Sequence, residues 1–353
     1  MKRTLLIISI PLIFISCSVS EYIYHNPPAM QDEITVASAS EVGMDSVKFT
    51  QLITKIKDKE FISVHSVLVS RYNKLVLEEY FDGYDVNKSH DLYSAGKSIT
   101  SALFGLAFDR NMISPDEKLL KFFEPYYPFV KNENKAKHDI KLSHLMTMSS
   151  GIKCGTFGDP KTDLSRLMLK SMDPVKTFLD AEMEAEPGTV FKYNDSMAQI
   201  IFYTIALAVK MNYYTFEDSL FYSPLGIDIK KTEPGLRPRD FLKIGLLYLN
   251  KGVWNGKRIL SGEWIEESTS FKIKPASSPW FAYGYGYFWW LNRFNYKGKE
   301  VECIMAVGNG HQALYIIPEL QLVVVFTGGN FKNGVSWQQP HKMLQEYVID
   351  AIY

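Results

Sequence analysis

The stretch SITSALFGLAFDRNMIS, residues 98–114, is apolar round nearly its whole girth, so a helix formed here has no face to offer water. Such a helix needs a shell of other elements on every side. The chain is large enough to supply one: 353 residues at 46% hydrophobic content make one big domain or two close ones. A second run, SMAQIIFYTIALAVKM at 196–211, has 16 residues, short for a membrane span, and also reads as a core helix. PRDFLKIGLLYLNKGVW, 238–254, is a third helix that closes near Gly252.

Strand patterns flank these helices. Residues 44–57 have helical spacing, and SVHSVLVSRYNKLVLEEYF, 63–81, then reads as a β-hairpin turning at 71–74. LSHLMTMSSGI, 142–152, is a helix ended by Ser-Ser-Gly. Near the C-terminus, YGYGYFWWL predicts one strand with Tyr283, Tyr285, Tyr287 and Trp289 on a single face. ALYIIP and LQLVVVFTG form a hairpin about Pro318 and Glu319, and residues 340–353 close with a helix. The order is hairpin, long helical insert, strand meander, helix. It predicts an α+β fold in which strands from both ends complete one antiparallel sheet with helices beside it.

Lys+Arg and Asp+Glu balance at 39 each, so no basic field invites nucleic acid. No CxxC, HExxH or clustered His/Cys spacing is present, so no metal and no cofactor is expected. Cys154 and Cys303 read either as a disulfide or as two buried thiols.

Lys2 and Arg3 precede the apolar run 5–15, which ends in Ser16 and Cys17. Residues 1–16 read as a signal peptide. Phe14-Ile15-Ser16-Cys17 resembles a bacterial lipoprotein signal, although leucine is commoner in its first position; an ordinary signal beside a chance cysteine is the other reading. Acylated Cys17 would hold an exported protein, periplasmic or at the cell surface, on a membrane without a protein span. Residues 17–40, with Pro27 and Pro28, read as a tether, and 41–353 as the folded domain.

YSAGKSIT at 93–100 sets Ser94 three positions ahead of Lys97. On a helix this spacing puts both side chains on one face. The following apolar helix should desolvate Lys97 and lower its pKa, as a base requires. A second copy, Ser150 and Lys153, lies in a Ser-Ser-Gly turn, where no helix carries the lysine back over the serine. A serine nucleophile also needs two N–H donors for the oxyanion. EPGTVFKYND, 186–195, offers Tyr193 and Asp195 just before an apolar helix, and AVGNGHQALYIIP, 306–318, offers a glycine-bracketed strand start. Tyr193 taken alone reads better as a core tyrosine. No G-x-S-x-G elbow occurs, which argues against an α/β-hydrolase.

Taken in order, YSAGKSITSALFGLA, SHLMTMSSGI, PGTVFKYND, YSPLGI, PRDFLKIGLLYLNKGVWNG, YGYGYFWW and GNGHQALYIIPELQLVVV resemble the class C β-lactamase-like serine hydrolases, especially their esterase and 6-aminohexanoate-dimer hydrolase branch. The resemblance covers about residues 40–350. It implies a β-lactamase/penicillin-binding-protein-like sheet with flanking helices and a large helical insert. It implies Ser94 as nucleophile, Lys97 as its base partner and Tyr193 as the residue that helps move the proton. The backbone N–H groups of Ser94 and Asn309 resemble the oxyanion hole. The substrate would be a small ester or amide, contacted by Asp195, Gly308 and Gly310. His311 reads equally as a substrate contact or as a structural or surface histidine. Two departures stand out. The family's Tyr-x-Asn reads Tyr193-Asn194-Asp195, and its late-strand Lys-Thr-Gly reads Ala306-Val307-Gly308. Aspartate would hold Lys97 as a cation or attract a cationic substrate group, or is a benign variant. The lost lysine argues against β-lactams as the main substrates. A lipoprotein of the same fold that binds or processes cell-wall peptides, catalytic or not, is the alternative.

Overall fold

The computed structural model describes residues 22–231, 235–275, 281–331 and 338–353. The signal peptide and Cys17 lie outside the described residues. Among the described residues ten strands run in chain order: β1 Thr35–Val36, β2 Val64–Arg71, β3 Lys74–Tyr80, β4 Val253–Trp254, β5 Lys257–Arg258, β6 Gly284–Tyr285, β7 Trp290–Tyr296, β8 Lys299–Gly308, β9 Gln312–Ile317 and β10 Leu322–Gly328. Eight of them build the central sheet in the order β1-β3-β2-β10-β9-β8-β7-β6, while β4 and β5 form a separate ribbon. All pairs in the central sheet are antiparallel except β1 on β3. The first hairpin therefore pairs through β2 with β10 from the far end of the chain, as the strand order predicts.

Tyr72 and Asn73 turn the first hairpin with φ of 51° and 60°, the two left-handed residues that a tight, twist-compatible turn requires. Both faces of the sheet are covered. A β-carbon on Gly245, in the helix Pro238–Leu249, would meet Leu314 and Val323, so that helix lies on their face. Tyr315 points to the other face, where its hydroxyl lies 3.2 Å from His341 Nδ1 in the C-terminal helical segment. The helix Ser46–Lys57 buries Phe49, Leu52, Ile53 and Ile56, the stripe its spacing predicts.

The insert places the helix Lys97–Phe108 against the helices Asp195–Ala208 and Gly262–Thr269. Ten of its twelve residues are buried, which matches an apolar girth with no solvent face. Among the described residues no helix is long and apolar enough to cross a membrane.

Two expectations need correction, and one open alternative is decided. Residues 22–40 do not hang as a tether: Tyr22 donates to Glu79 at 2.6 Å, Tyr24 to the Val76 carbonyl at 2.8 Å, and Arg239 to Asp32 and the Pro28 carbonyl. The segment is held by partners up to 211 residues away, which no local pattern announces. Residues 283–291 are not one strand. The chain reverses between Tyr285 and Trp290, which pair across a turn, and Phe288 takes a φ of 62°. A β-carbon on Gly286 would stand 2.4 Å from the Ser268 carbonyl oxygen, so only glycine fits there. Finally, Cys154 and Cys303 are both free and buried.

Candidate active site

The 3-10 turn Tyr93–Gly96 leads straight into the helix Lys97–Phe108. Tyr93 enters it with a φ of 47°, a conformation that costs a non-glycine residue on the order of 1 kcal/mol. Its N–H is held by Asp91 Oδ1 at 2.9 Å. One turn on, Lys97 Nζ donates to Ser94 Oγ at 2.9 Å. The lysine side chain is only 8% exposed.

Two further residues converge on that ammonium. It sits 4.9 Å from the centre of the Tyr193 ring. Tyr193 in turn stacks on Trp290, with ring centres 5.7 Å apart, and meets the edge of Phe157. Asn194 caps the helix Asp195–Ala208 by accepting the Ser196 N–H at 3.0 Å. Its amide donates to buried Asp163 at 2.9 Å, and Asp163 also accepts the Gly158 N–H. One carboxylate thereby ties the Phe157 loop to the segment carrying Tyr193. Asp195, first residue of the helix, reaches Lys97 Nζ at 2.5 Å.

These contacts set the charge on Lys97. Burial works to lower its pKa, but the Tyr193 phenol oxygen and the Asp195 carboxylate outweigh burial, and the net shift is upward. The expected lowering does not occur. Desolvation is present as the sequence implies; Tyr193 and Asp195 together reverse its sign.

The far end of β8 completes the site. A β-carbon on Gly308 would stand 2.1 Å from the Leu92 carbonyl oxygen and 2.9 Å from the Ala95 nitrogen. Glycine alone lets the strand close against the turn that bears Ser94. Asn309 follows at the strand end and lines the same cleft as Ser94, Lys97, Tyr193, Asp195 and Gly308. This cleft has a volume of about 970 Å³. Gly310 and His311 do not line it. Both take positive φ in the tight turn between β8 and β9, and the His311 β-carbon packs back over Gly328. Ala306 is buried within β8, leaving Val307 as the cleft-lining side chain beside Gly308.

The Beta-lactamase family profile matches residues 49–230, just over half the chain. The chain belongs to the Beta-lactamase family. That agrees with the resemblance its motifs carry to class C β-lactamase-like serine hydrolases. No curated protein matches. Among solved structures, one from Bacillus anthracis assigned as a 6-aminohexanoate-dimer hydrolase is 22% identical, with a TM-score of 0.64 over 83% of this chain and 80% of that one. A family VIII carboxylesterase is 13% identical, with a TM-score of 0.65 over 89% and 98%. A D-stereospecific amidohydrolase from Streptomyces sp. is also 13% identical, with a TM-score of 0.65 over 87% and 99%. At these identities the likeness speaks for the fold.

This Beta-lactamase family member keeps its second Ser-x-x-Lys away from chemistry. Ser150 is fully buried, and its Oγ accepts the Ile152 N–H at 3.2 Å. Lys153 lies on the surface, paired with Glu182 at 2.8 Å. Sequence reading missed Phe157, Arg166, Phe202 and Trp290 in the cleft wall. Phe202 was within reach, since 195, 199 and 202 share a helix face once Asp195 is placed. Trp290 was hidden by the misread turn, and no local signal marks Phe157 or Arg166.

Proposed function

We propose that this protein is a serine hydrolase that cleaves a small ester or amide through an acyl-enzyme. The observation that carries the reading is the 2.9 Å contact between Ser94 Oγ and Lys97 Nζ in a cleft that Tyr193 and Asn309 also line. Ser94 attacks the carbonyl carbon. The N–H groups of Ser94 and Asn309 receive the oxyanion. Lys97 and Tyr193 take the serine proton, return it to the leaving group, and then activate the water that releases the acyl chain. Lys97 rests as a cation, so it must lose a proton before it can act as a base. Asp195, at 2.5 Å, holds that proton on Lys97, so the proton must leave to solvent before the lysine can act.

A fluorophosphonate probe and two substrates test this. Labelling of Ser94, with faster turnover of a p-nitrophenyl ester than of nitrocefin, is the expected result. Without the late-strand lysine, a β-lactam carboxylate lacks one charge-assisted bond, worth roughly ten- to a hundred-fold in rate. Nitrocefin turned over as fast as the ester, and lost in Ser94→Ala, restores the β-lactamase assignment.

The Lys97–Asp195 ion pair also favours a second reading, a non-catalytic protein of this fold that binds cell-wall peptides. Absence of labelling together with peptide binding would establish it. Under either reading we propose that Cys17 is the lipidated N-terminus of an exported protein, on the strength of the apolar run ending at Ser16. Mass spectrometry of the mature chain checks this, and an unmodified N-terminus elsewhere removes the anchor.

A further inference from the structure

Loss of the late-strand lysine leaves open what, if anything, recognises charge on the substrate. Among the described residues, three charged side chains line the cleft: Lys97, Asp195 and Arg166. Lys97 and Asp195 neutralise each other at 2.5 Å. Arg166 has no such partner: it makes no ion pair or hydrogen bond with a described residue. Its charge is felt by Asp159, whose pKa is lowered first by the Lys161 N–H and the Thr162 hydroxyl and only last by Arg166. The cleft lining therefore carries a net charge of one positive unit, from Lys97 and Arg166 against Asp195. The surroundings are largely apolar, with Phe157, Phe202, Phe281 and Trp290 in the walls.

We propose that Arg166 is the specificity residue of this cleft, and that the substrate is a carboxylate-bearing ester or amide with an apolar body. This rests on the hydrolase reading above. The argument is one of charge and shape. A guanidinium presents paired N–H donors that match a carboxylate. An unpaired cation on an apolar wall draws an anion and gives a neutral substrate no comparable contact. The helix Leu164–Lys170, which bears Arg166, packs against the helix that begins with Asp195, so the cation is fixed on the same scaffold as the catalytic end. Arg166 offers its charge from the helix Leu164–Lys170, a different wall of the cleft from the late strand β8 at Val307 and Gly308.

Two matched pairs of esters test the proposal. One compares 4-nitrophenyl hexanoate with mono-4-nitrophenyl adipate, which places the carboxylate on the acyl side. The other compares phenyl butyrate with 4-carboxyphenyl butyrate, which places it on the leaving group. The readout is the ratio of kcat/KM, anionic over neutral. In Arg166→Gln this ratio should fall about tenfold for at least one pair, a modest figure because the head group is exposed and screened. Arg166→Lys should recover part of it, and added salt should depress it in the wild type. Lys170→Gln removes a like charge from the same helix outside the cleft lining and should keep the wild-type ratio. A ratio that moves less than about twofold in Arg166→Gln for both pairs overturns the proposal, as does an equal change in Lys170→Gln.

Failure of the hydrolase reading looks different: the wild type turns over none of the four esters, or Ser94→Ala turns them over as well as the wild type. Calorimetry then decides the binding claim alone, with adipic acid monoanilide against hexananilide. Tighter binding of the acid, lost in Arg166→Gln, supports an anion-selective cleft. Equal binding of the two anilides overturns it.

Discussion

Ser94 and Lys97 share a turn of chain, a hydrogen bond and a cleft. Ser150 and Lys153, the same residue types at the same spacing, share none of these. After Ser94 the backbone enters a twelve-residue helix, which winds Lys97 back toward the serine and buries it. After Ser150 it passes through Gly151 at a φ of 77°, and Lys153 leaves for the surface. Spacing alone is thus a weak signal. The helix that follows it and the strand that closes over it make the difference. Gly308 and Gly151 both press against backbone, but Gly308 does so beside the cleft that Ser94 lines, whereas Ser150 is fully buried and does not line that cleft.

The sharpest way to break the comparison is to exchange the serines. Ser94→Ala should lower turnover by more than about a thousand-fold and abolish probe labelling while circular dichroism is unchanged. Ser150→Ala should keep the label and lose on the order of 1 kcal/mol of stability, because its buried hydroxyl satisfies the Ile152 N–H. A label that follows Ser150 instead would show that the wrong copy had been chosen.

Next in size are the lysines. Lys97→Met should reduce kcat by about a hundred-fold or more, the usual range for a lost acid–base group. Lys153→Met breaks a pair whose side chains are 58% and 60% exposed, so its thermal midpoint and its turnover should both stay at the wild-type values. Equal kinetic losses in the two variants would remove the distinction between the copies.

The smallest effect, and the most informative, concerns Asp195. A base must be neutral to act, and an upward-shifted lysine is neutral only at high pH, so the wild-type rate should climb as pH rises into the alkaline range. Asp195→Asn removes an opposite charge and should lower the Lys97 pKa. The rising limb then moves to lower pH, and the rate at pH 7 should increase several-fold. A pH–rate profile of the two proteins checks this. A limb that stays in place would mean that Lys97 is not the group being titrated.

Much of the fold was legible because it depends on local pattern. The hairpin at 64–80, the amphipathic helix at 46–57 and the fully apolar helix after Ser94 follow from periodicities of two and about 3.6 residues. Where those signals fail, the cause is long-range. Alternating aromatic residues at 283–289 mimic a strand, yet the Ser268 carbonyl against Gly286 and the left-handed Phe288 make a turn, and it is Trp290 that reaches Tyr193. Residues 22–40 contain prolines and polar residues, yet Arg239 and the edge strand β3 hold them down.

By itself the sequence determined that Ser94 and Lys97 would meet, because one turn of helix brings positions three apart together regardless of what surrounds them. It also determined that Tyr193 and Asp195 would stand at a helix start, through the Asn194 cap. Only the tertiary structure decided the charge on Lys97. Burial alone pushes its pKa down, and the sign reverses because Tyr193 and Asp195, nearly a hundred positions later in the chain, converge on its ammonium. A helix geometry is encoded within a few residues, whereas the balance between desolvation and ion pairing depends on distances set by the packing of the whole domain.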